Sequence, residues 1–202
     1  VEWKFLRFLT HTGKFFPTLV LIFYTNAKCI LSPDKSKVVA IESFLMGKSF
    51  KINVSTFLDV FGLEDKGNDD EDSLAPFTGS VTSLDAHDRF LHLIISWWIR
   101  PSNGRYSRIR QVDSFWITCF RDNIQPNLAR IVFSDIVWHI QNRATPLVQS
   151  FPYACILSTI FLHLEIDCSY DKVGSLKELI GETSLNRAHF VYVSNGEWTR
   201  GA

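Results

Sequence analysis

The stretch Val112-Asp113-Ser114-Phe115-Trp116-Ile117-Thr118-Cys119-Phe120 decides the fold class. Val112, Phe115, Trp116, Cys119 and Phe120 recur at the i, i+3, i+4, i+7 and i+8 spacing that lines one face of an α-helix. Asp122-Asn123 closes this helix. Working outward, the same period returns on both sides. Downstream, Pro126 opens a helix with Leu128, Ile131, Val132, Ile136 and Ile140 on one side. Ser150 and Pro152 open another that runs to about Leu164. Its Ala154, Cys155, Ile156, Leu157, Ile160, Phe161 and Leu162 are apolar nearly all round, which places it at the centre of a core. Upstream, Thr82-Ser83-Leu84-Asp85 has the spacing of a capping box. It predicts a helix to Ile99 that buries Phe90, Leu91, Ile94, Ile95 and Trp98 and is ended by Pro101.

The N-terminal half adds two helices and a change of period. Segment 15–27 sets Phe16, Leu19, Val20, Phe23 and Tyr24 on one helical face, with Pro17 in the first turn. From residue 38 the period becomes two. Val39, Ile41, Ser43 and Leu45 alternate with Ala40, Glu42 and Phe44. Met46-Gly47-Lys48 makes a turn, and Phe50 and Ile52 resume the alternation, which is a β-hairpin signal. A short helix follows from Ser55 as N-cap through Phe57, Leu58 and Phe61 to a Gly62 stop. Near the C-terminus, Ser175 and Glu178 have capping-box spacing for a helix to Ile180. His189 to Val193 reads as a strand before an Asn195-Gly196 turn, a candidate to join the hairpin. The expected architecture is therefore mainly α: one multi-helix globular domain over 1–202 with one small β-hairpin and a candidate third strand. An acidic loop at about 64–80 is expected to be solvated and mobile. Within it, 64–72 holds six acids and one lysine. Residues 171–202 form a C-terminal extension.

Composition narrows the function classes. Hydrophobic residues make up 46% of the 202, with 17 Phe and 6 Trp, which excludes a disordered chain. The formal net charge is zero, so overall charge selects neither nucleic acid nor membrane as a partner. The apolar runs fall far short of the roughly 20 residues a membrane-spanning helix needs. Cys29, Cys119, Cys155 and Cys168 form no C-x-x-C pair, so they read as reduced thiols in apolar surroundings, consistent with an intracellular location. The chain opens on Val1, which reads as a piece of a longer protein.

The sequence has no G-x-S-x-G elbow, phosphate loop or G-x-G-x-x-G motif. His87, Asp88 and His92 are the tightest His/Asp group, but their offsets do not match a zinc pair, and His92 reads as a hydrogen-bonded core histidine. Asp113, Asp135 and Asp167 read as caps and solvated charges, not as the converging acids of a two-metal nuclease. No cofactor, metal or small-molecule ligand is expected. One basic segment stands out. Residues 89–130 hold seven arginines against two acids, Asp113 and Asp122. Arg100, Arg105, Arg108 and Arg110, with Tyr106 among them, suit phosphate contact and base stacking, the set expected if the chain binds nucleic acid. The neighbouring Trp97 and Trp98 read as core.

The order of several short blocks resembles one family. Phe16 to Asn26 (F-P-T-L-V-L-I-F-Y-T-N), the Gly47-Lys48 hairpin with Ile52-Asn53 and Phe61-Gly62-Leu63, then Arg89-Phe90-Leu91-His92, Arg100-Pro101 and Asp113, and finally Phe151-Pro152, are similar to successive blocks of a plant transposon-protein domain family. The resemblance covers about residues 3 to 170. It implies a part of a retroelement-derived plant protein and carries no active site. The leading expectation is a non-enzymatic assembly or protein-interaction module that self-associates or holds a protein partner. Nucleic-acid binding through 100–110 is the alternative, and an integrase-like nuclease a distant third.

Overall fold

A computed structural model describes residues 14–70, 79–99, 107–144, 152–175, 190–194 and 197–200. In chain order these hold β1 (Lys14–Phe15), α1 (Pro17–Asn26), β2 (Lys28–Leu31), β3 (Val38–Leu45), β4 (Lys48–Ile52) and α2 (Val54–Phe61). There follow β5 (Gly79–Ser80), a 3-10 turn (Val81–Ser83), α3 (Ala86–Ile94), a π-helical turn (Ile95–Ile99), β6 (Arg108–Ile109) and α4 (Gln111–Arg121). The chain ends with α5 (Leu128–Asn142), α6 (Ala154–His163), β7 (Gly174–Ser175), β8 (Phe190–Ser194) and β9 (Glu197–Arg200). The fold is mixed α/β, which corrects the mainly helical expectation. Six α-helices accompany a three-stranded antiparallel sheet, β2-β3-β4, and further two-stranded pairings among the described residues. The extra strands escaped the sequence because most are two to five residues long, too short for a period-two pattern to register.

The chain divides into two compact units. One is Val1–Lys66 with Asn127–Lys177, the other Gly67–Pro126 with Glu178–Ala202. In the first unit the sheet turns Ile41, Leu45, Phe50 and Ile52 inward against α1, whose Leu19, Val20, Phe23 and Tyr24 are buried. α5 lies on β2, α2 touches α5 and α6, and α6 touches α1. The expected central place of the apolar α6 holds for one face, with Leu157, Ile160 and Phe161 fully buried, while Leu162 is 57% exposed. Phe23 packs its ring against Tyr24, Phe50 and Phe161 at centroid distances of 5.3, 6.4 and 5.7 Å. Long-range hydrogen bonds close the unit: Phe16 N–H donates to Ser158 Oγ at 3.0 Å, and Leu19 N–H to Asp171 Oδ2 at 2.9 Å.

The hairpin stands where the alternation placed it. Met46 (φ 47°) and Gly47 (φ 79°) both adopt the left-handed conformation, the pattern of a type I′ turn that matches strand twist. A Cβ added at Gly47 would meet nothing within 4 Å, so only its backbone conformation demands glycine. Gly47→Ala is expected to cost about 1 kcal/mol in denaturant unfolding. Met46→Gly should recover part of that loss in the double variant.

Two caps differ from expectation. α2 is capped by Asn53 and not Ser55. Asn53 Oδ1 accepts from Thr56 N–H at 3.1 Å, Thr56 Oγ1 accepts from Asn53 N–H at 3.2 Å, and Gly62 closes the helix in the left-handed region as expected. α3 starts only at Ala86, with Asp85 as its cap, because Val81–Ser83 winds as a 3-10 turn.

The second unit pairs α3 and its π-helical extension with α4, whose Phe115, Trp116, Ile117 and Cys119 are wholly buried. Here the expected stripe holds only in part: Ile95 is wholly buried and Leu91 and Ile94 are half-buried. Phe90 is 42% exposed, while Asp88, Arg89 and His92 are each 1% exposed. Polar partners distant in sequence, described below, override the apolar periodicity. The side chain of Trp98 lies outside the described residues. β8 pairs with β9, Phe190 opposite Arg200 and Tyr192 opposite Trp198, so the C-terminal strand forms its own hairpin and does not join β3-β4. The helix expected at 175–180 lies outside the described residues. Among the described residues, no helix is long and apolar enough to cross a membrane.

Candidate functional site

Among the described arginines of residues 89–130, Arg89, Arg110, Arg121 and Arg130 bond within the fold. Arg100, Arg105 and Tyr106 lie outside the described residues. Arg108 is exposed in β6, opposite Ser80. Arg110 forks onto Asp113, donating from Nε to Oδ2 at 2.8 Å and from Nη2 to Oδ1 at 2.6 Å. Beyond the loop, Arg89 is buried and donates to the carbonyls of Thr82 and Leu84. Arg121 pairs with Asp88, and Arg130 with Asp65. Asp88 and Asp65, from outside residues 89–130, thus offset part of the surplus read from the sequence. The acidic segment contributes one of them. Asp65 accepts from Arg130 and from Asn127 Nδ2, and these bonds hold its carboxyl down at about 2.

Asp113 is the electrostatic centre of the second unit. It is 0% exposed, and its Oδ2 also accepts from the Arg110 backbone N–H at 2.8 Å and faces His92 Nε2 at 3.5 Å. Burial alone would raise its pKa, but the bonds to His92 and Arg110 outweigh that and hold the carboxyl down at about 2. Ser96 Oγ lies 3.5 Å from the same His92 nitrogen. A nucleophile relay needs serine and carboxylate on opposite ring nitrogens. Here both meet Nε2 in a buried cluster, which is a structural network. His92 is the hydrogen-bonded core histidine that its neighbours implied.

Asp113 and Asp135 correct the reading of them as caps and solvated charges only. Asp113 does receive the N-cap N–H of α4, but it is buried. Asp135, 5% exposed, accepts from the Tyr153 hydroxyl at 2.8 Å. Asp167 remains a turn residue, accepting from Ser169 N–H and Oγ. Asp85, His87 and Asp88 bring one ligand atom each within 4.8 Å of one another. The Arg121 guanidinium already neutralises Asp88, and Asp85 Oδ1 accepts from Asp88 N–H at 2.8 Å as the cap of α3. Burial raises the Cys29 and Cys168 thiols above their ordinary range. Burial, then Asp122, pushes Cys119 up to about 12.

The feature that local sequence patterns did not reveal is a polar cleft of about 490 Å³ on the first unit. Its floor is the outer face of the sheet, where Lys28 stands opposite Glu42 and Phe44 opposite Ser49. Thr25, Asn26 and Arg143 complete it. Asn26 Nδ2 donates to the Phe44 carbonyl at 3.0 Å, tying the end of α1 to β3. Arg143 Nη1 donates to the carbonyls of Tyr24 and Ala27 at 2.9 and 2.8 Å, which fixes the guanidinium at the C-terminal end of α1. Glu42 pairs with Lys51 at 3.7 Å on the neighbouring strand. Lys28 and Arg143 are far apart in the chain and share no motif, so only the fold assembles them. No family model matches the chain, and no curated protein or solved structure matches it.

Proposed function

We propose that this chain is a non-enzymatic interaction module of a plant transposon-derived protein, acting by self-association or by holding a protein partner. The observation that carries the reading is where apolar surface remains uncovered. Among the described residues, nine of the ten large apolar side chains that stay exposed belong to the first unit, and Phe90 alone to the second. Leu31 and Val39, 47% and 40% exposed, flank the bulge where β2 and β3 change register. β2, which carries Leu31, is an edge strand of the sheet, and exposed apolar side chains on and beside an edge strand favour burial against another chain. The buried, hydrogen-bonded state of Asp113 and Asp135 supports the non-enzymatic part, because acids that hold catalytic metals must face a substrate. The family part of the reading rests on the order of the sequence blocks.

Light scattering across a concentration series tests this. A mass above the monomer value is expected at high concentration. The double variant Leu31→Lys, Val39→Lys should weaken association at least about tenfold. A chain that stays monomeric to high concentration and retains no protein from a plant nuclear extract would sink the reading.

A further inference from the structure

We propose that the cleft on the outer face of the β2-β3-β4 sheet binds a nucleoside phosphate, either as a free nucleotide or as one unit of a single strand. The site is built from residues of the first unit and does not depend on the interaction role above. Three kinds of group converge there. The first is positive charge: Lys28 has no carboxylate partner among the described residues, and Arg143 presents its remaining guanidinium N–H groups from a position fixed by two backbone carbonyls. A pre-oriented guanidinium beside a lysine suits a phosphate, the fork binding two oxygens and the ammonium acting as a point charge.

The second is a flat apolar surface. Phe44 is 50% exposed on the same face of the sheet as Lys28, a ring on which a base can stack. The third is polar groups of complementary kind. The exposed Ser49 hydroxyl can donate to a phosphate oxygen. The Thr25 hydroxyl donates to the Leu21 carbonyl at 2.8 Å, so its oxygen is left as an acceptor. Asn26 Oδ1 is a second acceptor, and Glu42 a third, its charge offset by Lys51. Acceptors of this kind suit sugar hydroxyls and base amino groups, which a plain anion lacks. The volume falls within the range of roughly 300–1,000 Å³ that small-molecule clefts occupy.

The test measures binding of a fluorescent eight-residue oligothymidylate and of adenosine monophosphate to the full chain at low salt, with inorganic phosphate as a competitor. Lys28→Gln and Phe44→Ser are exposed-site changes expected to leave the melting temperature nearly unaltered. Lys37→Gln removes the same charge from the same unit, outside the cleft. Saturable, salt-sensitive binding is expected, weakened about tenfold by each cleft variant and less than about twofold by Lys37→Gln. Displacement of the oligonucleotide by adenosine monophosphate identifies a free nucleotide as sufficient. Binding of the oligonucleotide alone identifies the strand. No saturable binding of either probe overturns the proposal. So does equal weakening by Lys28→Gln and Lys37→Gln, or phosphate competing as well as the nucleotide.

Discussion

Asp113→Asn is expected to destabilise the second unit by about 3–5 kcal/mol, the cost of leaving buried charge partners uncompensated. The carboxylate holds together α4 and the turn before it through Arg110, and α3 through His92. An amide keeps the shape but removes the charge and cannot accept at both oxygens. Hydrogen exchange of the amides in Gln111–Arg121 reports the loss locally. Acid provides a second signature. With a folded-state pKa of about 2 against an ordinary 3.8, Asp113 contributes stability that is complete above pH 4 and lost as the pH falls toward 2. The gap corresponds to about 2 kcal/mol. The difference in stability between wild type and Asp113→Asn should therefore narrow as pH falls from 4 to 2. A constant difference across that window would show that the charge contributes nothing. Asp65 has a similarly depressed pKa, but its pair with Arg130 is well exposed and screened by solvent, so its removal should cost little.

Phe23→Ala is expected to cost the first unit about 3–5 kcal/mol. Phe23 is 0% exposed and links α1, β4 and α6 through ring contacts with Tyr24, Phe50 and Phe161. Its backbone carbonyl also accepts from Ser43 Oγ at 3.4 Å, so the site is braced and collapses poorly around a void. Chemical denaturation followed by tryptophan emission measures the change. A loss under about 1 kcal/mol would mean that the neighbours close the cavity, contrary to a rigid core.

How much of this was legible in the sequence depends on where each residue's partner lies. The hairpin was legible because alternation and the Met46-Gly47 turn are local signals. α1, α4, α5 and α6 were legible because their apolar periods are long. β2 was not, since Lys28-Cys29-Ile30-Leu31 shows no alternation and becomes a strand only by pairing with 38–42. The buried face of α3 was misread for the same reason. His92 was read as a core histidine, but the burial of Asp88 and Arg89 follows only once Arg121 and the Thr82 and Leu84 carbonyls take up their charge and donors. The cleft had no local trace at all, and of the 100–110 set only Arg108 and Arg110 lie among the described residues, Arg110 bonding to the buried Asp113.

The first unit is assembled from two stretches separated by about sixty residues of the other, and this bears on how the protein is made. As the ribosome extends the chain, the apolar face of Pro17–Asn26 emerges long before Ser158 and Asp171, the residues that secure its N-terminal turn. At about 5–20 residues per second that interval lasts roughly seven to thirty seconds. Throughout it Leu19, Val20, Phe23 and Tyr24 lack the helix that finally covers them. A chaperone that shields nascent apolar segments has its natural target there, and truncation before residue 154 should yield insoluble protein.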